Sequence, residues 1–254
     1  MSQSDGTPMD QASMPLLGHL LELRDRLLRA TLAVLILFAG IYPFANTLYQ
    51  WLSEPLRRLL PAGQTMIATD VTAPFFVPLK LALVVAVFAA MPLVLHQIWR
   101  FVAPALHQHE KRLAFPLLTS AIALFYAGAA FAYFVVLPLV FGFFTSVGPA
   151  GVEEMPDMSQ YLDFILKLLF AFGLSFEIPV ATVLLVLAGA TTPARLSAKR
   201  PYVVVGCFVV GMLLTPPDLI SQSLLAVPMW LLFEAGVVCA RLVHRPAPQD
   251  TQDG

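Results

Sequence analysis

The chain has 254 residues, of which 58% are hydrophobic and only 12% charged, with a formal net charge of −1. Its mean hydropathy is +0.78. A soluble domain carries about 25% charged residues, so this composition excludes a soluble globular enzyme and points to an integral membrane protein.

The N-terminal segment, residues 1–14, is polar, carries Asp5 and Asp10, and lacks a basic region of the secretory type. It is expected to be a disordered cytoplasmic N-terminus. From Leu16 to Arg29 leucines recur at helical spacing, with Glu22, Asp25, Arg26 and Arg29 between them. This reads as a short interfacial helix leading into the membrane.

Six apolar spans follow, at about residues 30–49, 75–99, 113–144, 162–188, 202–214 and 219–238. All are expected to be helical, because lipid requires a backbone satisfied within its own segment and the runs are too long for barrel strands. Pro92, Pro116, Pro138, Pro179 and Pro228 fall inside them. An interior proline removes a hydrogen bond and kinks a helix, so a curved, concave bundle is expected. The third span exceeds the need of a ~30 Å core and should tilt or bend; the fifth, residues 202–214, is too short to cross it. Thr215-Pro216-Pro217-Asp218 then turns the chain back into the sixth. The membrane domain is taken as residues 15–241, followed by a disordered cytoplasmic tail at 242–254. Both Cys207 and Cys239 lie in apolar runs and read as small core residues.

Lys and Arg fix the orientation. Arg24, Arg26, Arg29, Arg100, Lys111, Arg112, Arg195, Lys199, Arg200, Arg241 and Arg245 all fall on one side, so both termini are expected in the cytoplasm. The first outside loop, residues 50–74, is the longest; Asp70 is expected to anchor the start of the second span.

Glu177 stands near the middle of the fourth span. An ionised acid there costs about 2.5–3.5 kcal/mol on insertion scales, so the helix must have a protected face. Lys167 is ten residues away, about 15 Å along the axis, and cannot neutralise it. Glu177 is thus a proton relay, a substrate contact or a structural acid. Glu22 and Glu110 lie against the positive trend of the cytoplasmic side. Glu22 is placed for an i,i+4 pair with Arg26, and Glu110 for a helix N-terminus. Alternatively the two form an acidic surface pocket, which would select a guanidinium because a carboxylate accepts arginine in a fork that lysine cannot match. No base is placed beside Ser175, His107 to Glu110 fails metalloprotease spacing, and no phosphate-binding loop occurs. An enzyme is not expected, nor a cofactor, a metal or a nucleic-acid partner.

Several motifs occur together. They are His19-Leu20-Leu21-Glu22-Leu23-Arg24-Asp25-Arg26-Leu27, Met66-Ile67-Ala68-Thr69-Asp70 with Pro74-Phe75-Phe76, and Phe101-Val102-Ala103-Pro104 leading to His109-Glu110-Lys111-Arg112. Further along come Phe131-Ala132-Tyr133-Phe134, Ser175-Phe176-Glu177-Ile178-Pro179, Arg200-Pro201-Tyr202, and Gly211-Met212-Leu213-Leu214-Thr215-Pro216-Pro217-Asp218 with Gln222. In this order, over about residues 15–241, they resemble the TatC family, the multispanning subunits of the twin-arginine protein translocase. Lys167 and Cys207 fall in no motif of that family.

The resemblance implies a six-helix, glove-shaped protein of the cell inner membrane. It implies a receptor that binds twin-arginine signal peptides and, with single-span TatA and TatB partners in an oligomeric complex, exports folded proteins on the proton-motive force. It places Glu22 and Glu110 on the arginines, with Arg24 and Phe101 in the same receptor role and Pro55 on the outer side. Glu177 becomes the polar residue of the concave face. Met212, Leu213, Thr215 and Gln222 become the surface that docks the partners, with Asp218 at the adjoining turn. Two other readings remain: a small-solute secondary transporter, and a scaffold for other membrane proteins.

Overall fold

The computed structural model describes residues 8–59, 66–102, 114–147, 156–215 and 218–243, with backbone alone at 8–20, 23, 55–59, 101, 102, 114, 145 and 147. The described residues form helices and no strand. Five helical stretches are long and apolar enough to cross a membrane, and Arg200–Leu214 is a shorter apolar helix.

Helix α1, Pro8–Ile41, is one continuous helix of 34 residues. The helical segment expected before the first span runs into it without a break, because the Leu, Arg and Glu residues of 20–29 favour helix and contain no breaker. The helix also starts inside the segment expected to be disordered, with proline at its first position, where the missing N–H costs nothing. Residues 1–7 and 244–254 lie outside the described residues.

Pro43 ends α1. A single 3-10 turn, Tyr42–Phe44, redirects the chain into α2, Ala45–Leu59. Half of the expected outside loop is thus helix. α2 is held by the bundle through its carbonyls: Tyr133 Oη donates to Trp51 O at 2.9 Å and Tyr161 Oη to Leu52 O at 3.1 Å. α3, Ala73–Val102, runs back with Pro78 and Pro92 inside it.

The long third span bends within its own length. α4, Ala114–Phe131, passes through a π-helical segment, Ala132–Val136, into α5, Leu137–Val147. Pro138 has no N–H and its ring crowds the turn before it, which the wider π turn accommodates. The fourth span breaks too. α6, Met158–Ser175, stops one turn before Pro179, and α7, Ile178–Leu187, continues after Phe176 and Glu177. Pro92 and Pro228, by contrast, sit inside unbroken helices.

Gly189, at φ 68°, closes α7 in the left-handed conformation that glycine tolerates. A short helix absent from the sequence expectations follows: α8, Pro193–Ala198, capped by Thr192, whose hydroxyl accepts from Arg195 N. α9, Arg200–Leu214, has 15 residues, about 22 Å of helix, so the expected short span is present. α10, Leu219–Val243, returns beside it.

The core runs along α4, α6 and α10, where Phe125, Phe172, Leu225 and Met229 are fully buried. Gly128 permits a close approach of α4 to α6. A Cβ there would stand 2.6 Å from Phe172 O and 2.9 Å from Phe176 Cβ. Small residues bring helix backbones together where lipid offers no hydrophobic driving force between helices. Cys207 is buried as expected, but Cys239 is exposed: it lies on the outward face of α10, so its reading as a core residue is corrected.

Where α3 and α6 begin, a cap is built. Ile67 and Asp157 form an isolated parallel bridge, with Ile67 N donating to Pro156 O at 3.1 Å and Met158 N to Ile67 O at 2.9 Å. This end of the bundle is called the cap end below.

Candidate functional site

At the opposite end, α1 packs on α3 and encloses a small recess of about 140 Å³ lined by Glu22, Asp25, Arg26, Arg29, Gln97 and Arg100. Helical spacing puts Glu22, Asp25, Arg26 and Arg29 on one stripe of α1. The expected i,i+4 pair forms: Arg26 Nη2 donates to Glu22 Oε1. The same guanidinium reaches across to α3, where its Nη1 donates to the Gln97 carbonyl at 2.9 Å. The Arg26 side chain is only 12% exposed, while that of Glu22 is 52% exposed. Glu22 is thus half-exposed while its neighbour is largely enclosed.

Arg24 points elsewhere. Its Nη2 pairs with Asp25 Oδ1 at 2.8 Å and its side chain is 63% exposed. Phe101 belongs to the last turn of α3, next to Arg100, with only its backbone described. Glu110 lies outside the described residues. Among the described lining residues two acids face three arginines, so acidity at this end cannot come from Glu22 and Asp25 alone. Sequence reasoning missed Gln97 and Arg100, which no motif flags and only the packing of α3 on α1 reveals. The Oε1 of Gln97 is buried without a hydrogen-bond partner among the described residues.

Glu177 occupies the break between α6 and α7. Its backbone is satisfied by Leu174 O and Ala181 N, but its Oε1 is buried with no partner among the described residues. One oxygen of this acid therefore sits where no described residue satisfies it.

The α9–α10 hairpin holds the remaining positions. Met212 and Leu213 are exposed, Leu213 at 72%. Thr215 is buried and donates to Gly211 O at 3.0 Å. Gln222 Nε2 donates to Phe208 O at 2.6 Å, so the hairpin itself supplies a partner for that amide. Asp218 accepts from Ser221 N at 2.7 Å and caps α10, leaving Oδ2 buried and unpaired among the described residues. Asp70 accepts from Thr72 N and Thr72 Oγ1 at 2.9 and 3.0 Å, anchoring the turn into α3 as expected. Pro55 lies in α2 with only its backbone described.

Two further residues were missed. Asp157 accepts from Thr69 Oγ1, Thr69 N, Ser159 N and Gln160 N at 2.7–3.0 Å. These donors, the Thr69 hydroxyl foremost, hold its carboxyl down at about 2, below the ordinary 3.8. The Asp157-x-Ser159-Gln160 order was a legible N-cap signal. Glu234 of α10 takes Arg200 in a two-point fork, at 2.6 and 2.7 Å. No group of three or more metal-ligating His, Cys, Asp or Glu occurs among the described residues.

A family model described as Sec-independent protein translocase protein (TatC) matches residues 18–228. The chain belongs to the TatC family. The TatC protein of Azotobacter chroococcum mcd 1 is 60% identical over 242 residues, covering 95% of both chains. That of Escherichia coli K12 is 55% identical over 229 residues, covering 90% of this chain and 89% of the other. A crystal structure of the twin-arginine translocase receptor TatC superposes with a TM-score of 0.80 at 38% identity, covering 89% of this chain and 100% of that one. The all-α, concave six-helix class expected from the sequence is therefore the TatC fold. Membership of a family of translocase proteins also sets aside the enzyme and small-solute transporter readings.

Proposed function

We propose that this chain is the core receptor subunit of a twin-arginine translocase in the cell inner membrane, with both termini in the cytoplasm. Glu22 and Glu110 take the consecutive arginines of a signal peptide, with Arg24 and Phe101 supporting the same site. Met212, Leu213, Thr215 and Gln222 form the face for single-span TatA- and TatB-type partners, with Asp218 fixing the turn beside it. Pro55 and Asp70 shape the outer side. Glu177 is a polar point on the concave wall beneath the receptor site. The complex is oligomeric and exports folded proteins on the proton-motive force.

One observation carries this reading. The half-open Glu22 carboxylate already holds a guanidinium, that of Arg26, which is braced by a carbonyl of α3. That contact supports a site for arginine, in which one planar cation makes several directed hydrogen bonds. The family resemblance and the similarity to the crystallised receptor support the rest.

The test is photo-cross-linking of a twin-arginine peptide to positions beside Glu22 and Glu110 in the membrane-inserted chain, paired with equilibrium binding. Charge reversal of either acid is expected to abolish cross-linking while insertion persists. Replacing both peptide arginines by lysine is expected to lower affinity despite equal charge. Undiminished cross-linking after both reversals, or equal affinity of the lysine peptide, overturns the assignment.

A further inference from the structure

Lys167 has no role in the receptor reading, yet its position is unusual. The exposed residues of α6 are Gln160, Lys167 and Leu174, seven apart, so Lys167 lies on the centre of that helix's outward stripe. One turn before it, Asp163 forms an ion pair with Lys80 of α3. The side chains of Lys80 and Asp163 are 52% and 42% exposed, so the pair faces outward rather than into the core. Lys167 has no ion-pair or hydrogen-bond partner among the described residues. All three residues belong to segments apolar enough to cross a membrane. Among the described residues the cluster therefore presents one uncompensated positive charge on the bundle's outward surface.

Depth decides what can meet that charge. The segment Ala73–Arg100 has 28 residues and Met158–Leu187 has 30. At 1.5 Å per residue these are about 42 and 45 Å, the thickness of a bilayer with its headgroups. Centred on a ~30 Å core, each segment leaves about 6–8 Å at either end in the headgroup layer. Lys80 is seven residues into its segment and Lys167 nine into its own. Their Cα atoms thus lie roughly 4–6 Å below the hydrocarbon boundary. A lysine stem of about 6 Å spans that distance and brings the ammonium to the phosphate layer.

We infer that Lys80, Asp163 and Lys167 form a binding site for the phosphate of a single phospholipid in the leaflet at the cap end. Asp163 holds Lys80 in place and sets the net charge at +1, which matches one monoanionic phosphodiester. Lys167 supplies the open ammonium, and the acyl chains lie along the apolar remainder of the α6 stripe, toward Leu174. A bound lipid there fixes the cap end of α3 and α6 at a defined depth. A partner helix carrying a carboxylate would need that acid within the headgroup layer to reach the same ammonium.

The test is native mass spectrometry of the purified full chain in detergent. It is titrated with phosphatidylglycerol, with diacylglycerol of the same acyl chains, and with inorganic phosphate. The parent is expected to retain one phosphatidylglycerol that neither diacylglycerol nor millimolar phosphate displaces. Lys167→Gln is expected to weaken that adduct roughly fivefold. The triple change Lys80→Gln, Asp163→Asn, Lys167→Gln is expected to remove it. Thermal midpoint and twin-arginine peptide binding of Lys167→Gln should stay at parental values, which separates loss of the site from loss of fold or of receptor activity. Equal retention of phosphatidylglycerol by Lys167→Gln overturns the inference, as does displacement by inorganic phosphate. If lipid retention is unchanged while a co-expressed TatA- or TatB-type partner no longer co-purifies, the cluster meets a protein carboxylate instead.

Discussion

Asp157 and Thr69, 88 positions apart in the chain, are joined by two hydrogen bonds: the Thr69 hydroxyl and its N–H both donate to Asp157 Oδ2. The other carboxylate oxygen caps α6 through Ser159 N and Gln160 N. One acid therefore serves two functions. It starts a membrane helix and ties that start to the segment that leads into α3, with Asp70 and Thr72 completing the turn. This carboxylate and the Ile67 backbone bridge join the starts of α3 and α6, above the apolar cluster of Ala73, Val77, Leu162 and Leu166.

Asp157→Ala is expected to lower stability by more than the ~1 kcal/mol typical of an N-cap, because Thr69 loses its acceptor as well. Thr69→Val in the Asp157→Ala background should then cost little, a coupling that a double-mutant cycle in thermal unfolding measures. Independent, additive losses would show that the two residues do not act together.

The same carboxyl gives a pH dependence with a definite sign. Its folded value, about 2, lies below the ordinary 3.8. Its contribution to stability is therefore full above about pH 4 and is lost as pH falls toward 2. Detergent-solubilised parent and Asp157→Asn should show a difference in thermal midpoint that is constant from pH 5 to 8 and shrinks below pH 4. A difference that grows on acidification would reverse the sign.

The number of spans, their helical character and the shortness of the fifth were legible in the sequence because lipid permits so few alternatives. The breaks were only half legible. Pro138 and Pro179 disrupt their helices, whereas Pro92 and Pro228 do not, since neighbouring helices decide whether a freed carbonyl is tolerated. Glu22 with Arg26 followed from spacing. Gln97, Arg100 and the Glu234–Arg200 fork did not, because each depends on which residues a second helix presents.

Gly128 and Gly40 give opposite expectations for the same change. A Cβ at Gly128 meets a backbone carbonyl of α6 that cannot move aside, whereas at Gly40 nothing lies within 4 Å. Gly128→Ala should destabilise by about 1–3 kcal/mol as α4 is forced from α6. Gly40→Ala should be neutral or stabilise by roughly 0.5–1 kcal/mol through helix propensity. Thermal unfolding in one detergent ranks the two; the reverse ranking would mean that α4 and α6 are not in contact at Gly128.

Arg200 and Glu234 join the start of α9 to α10 in a fork that only a guanidinium can make. Arg200→Lys is therefore expected to lower the thermal midpoint slightly despite the retained charge, the effect being small because the Arg200 side chain is 42% exposed. Proteolysis near α8, where Arg241 also donates to Ser197 Oγ at 2.7 Å, should accelerate in the same variant. Unchanged cleavage and an unchanged thermal midpoint would assign the hairpin's position to apolar packing alone.

Arg26 makes the sharpest demand on the receptor reading. Its guanidinium occupies Glu22 in the unliganded chain, so an incoming arginine must share or displace it. Glu22→Gln removes the negative charge and one of the two acceptor oxygens that either guanidinium can use, and is expected to weaken a twin-arginine peptide about tenfold, the scale of one charge-assisted hydrogen bond. Arg26→Gln removes the internal competitor, and with it one of the positive charges that face the peptide across the recess. Its expected effect is the opposite one, a several-fold gain in affinity that shrinks at high salt, where charge repulsion is screened. Fluorescence anisotropy of a labelled peptide against both purified variants reads the two signs. If Arg26→Gln weakens binding as much as Glu22→Gln does, then Arg26 positions the carboxylate for its ligand rather than competing with it, and the recess must accommodate both guanidinium groups at once.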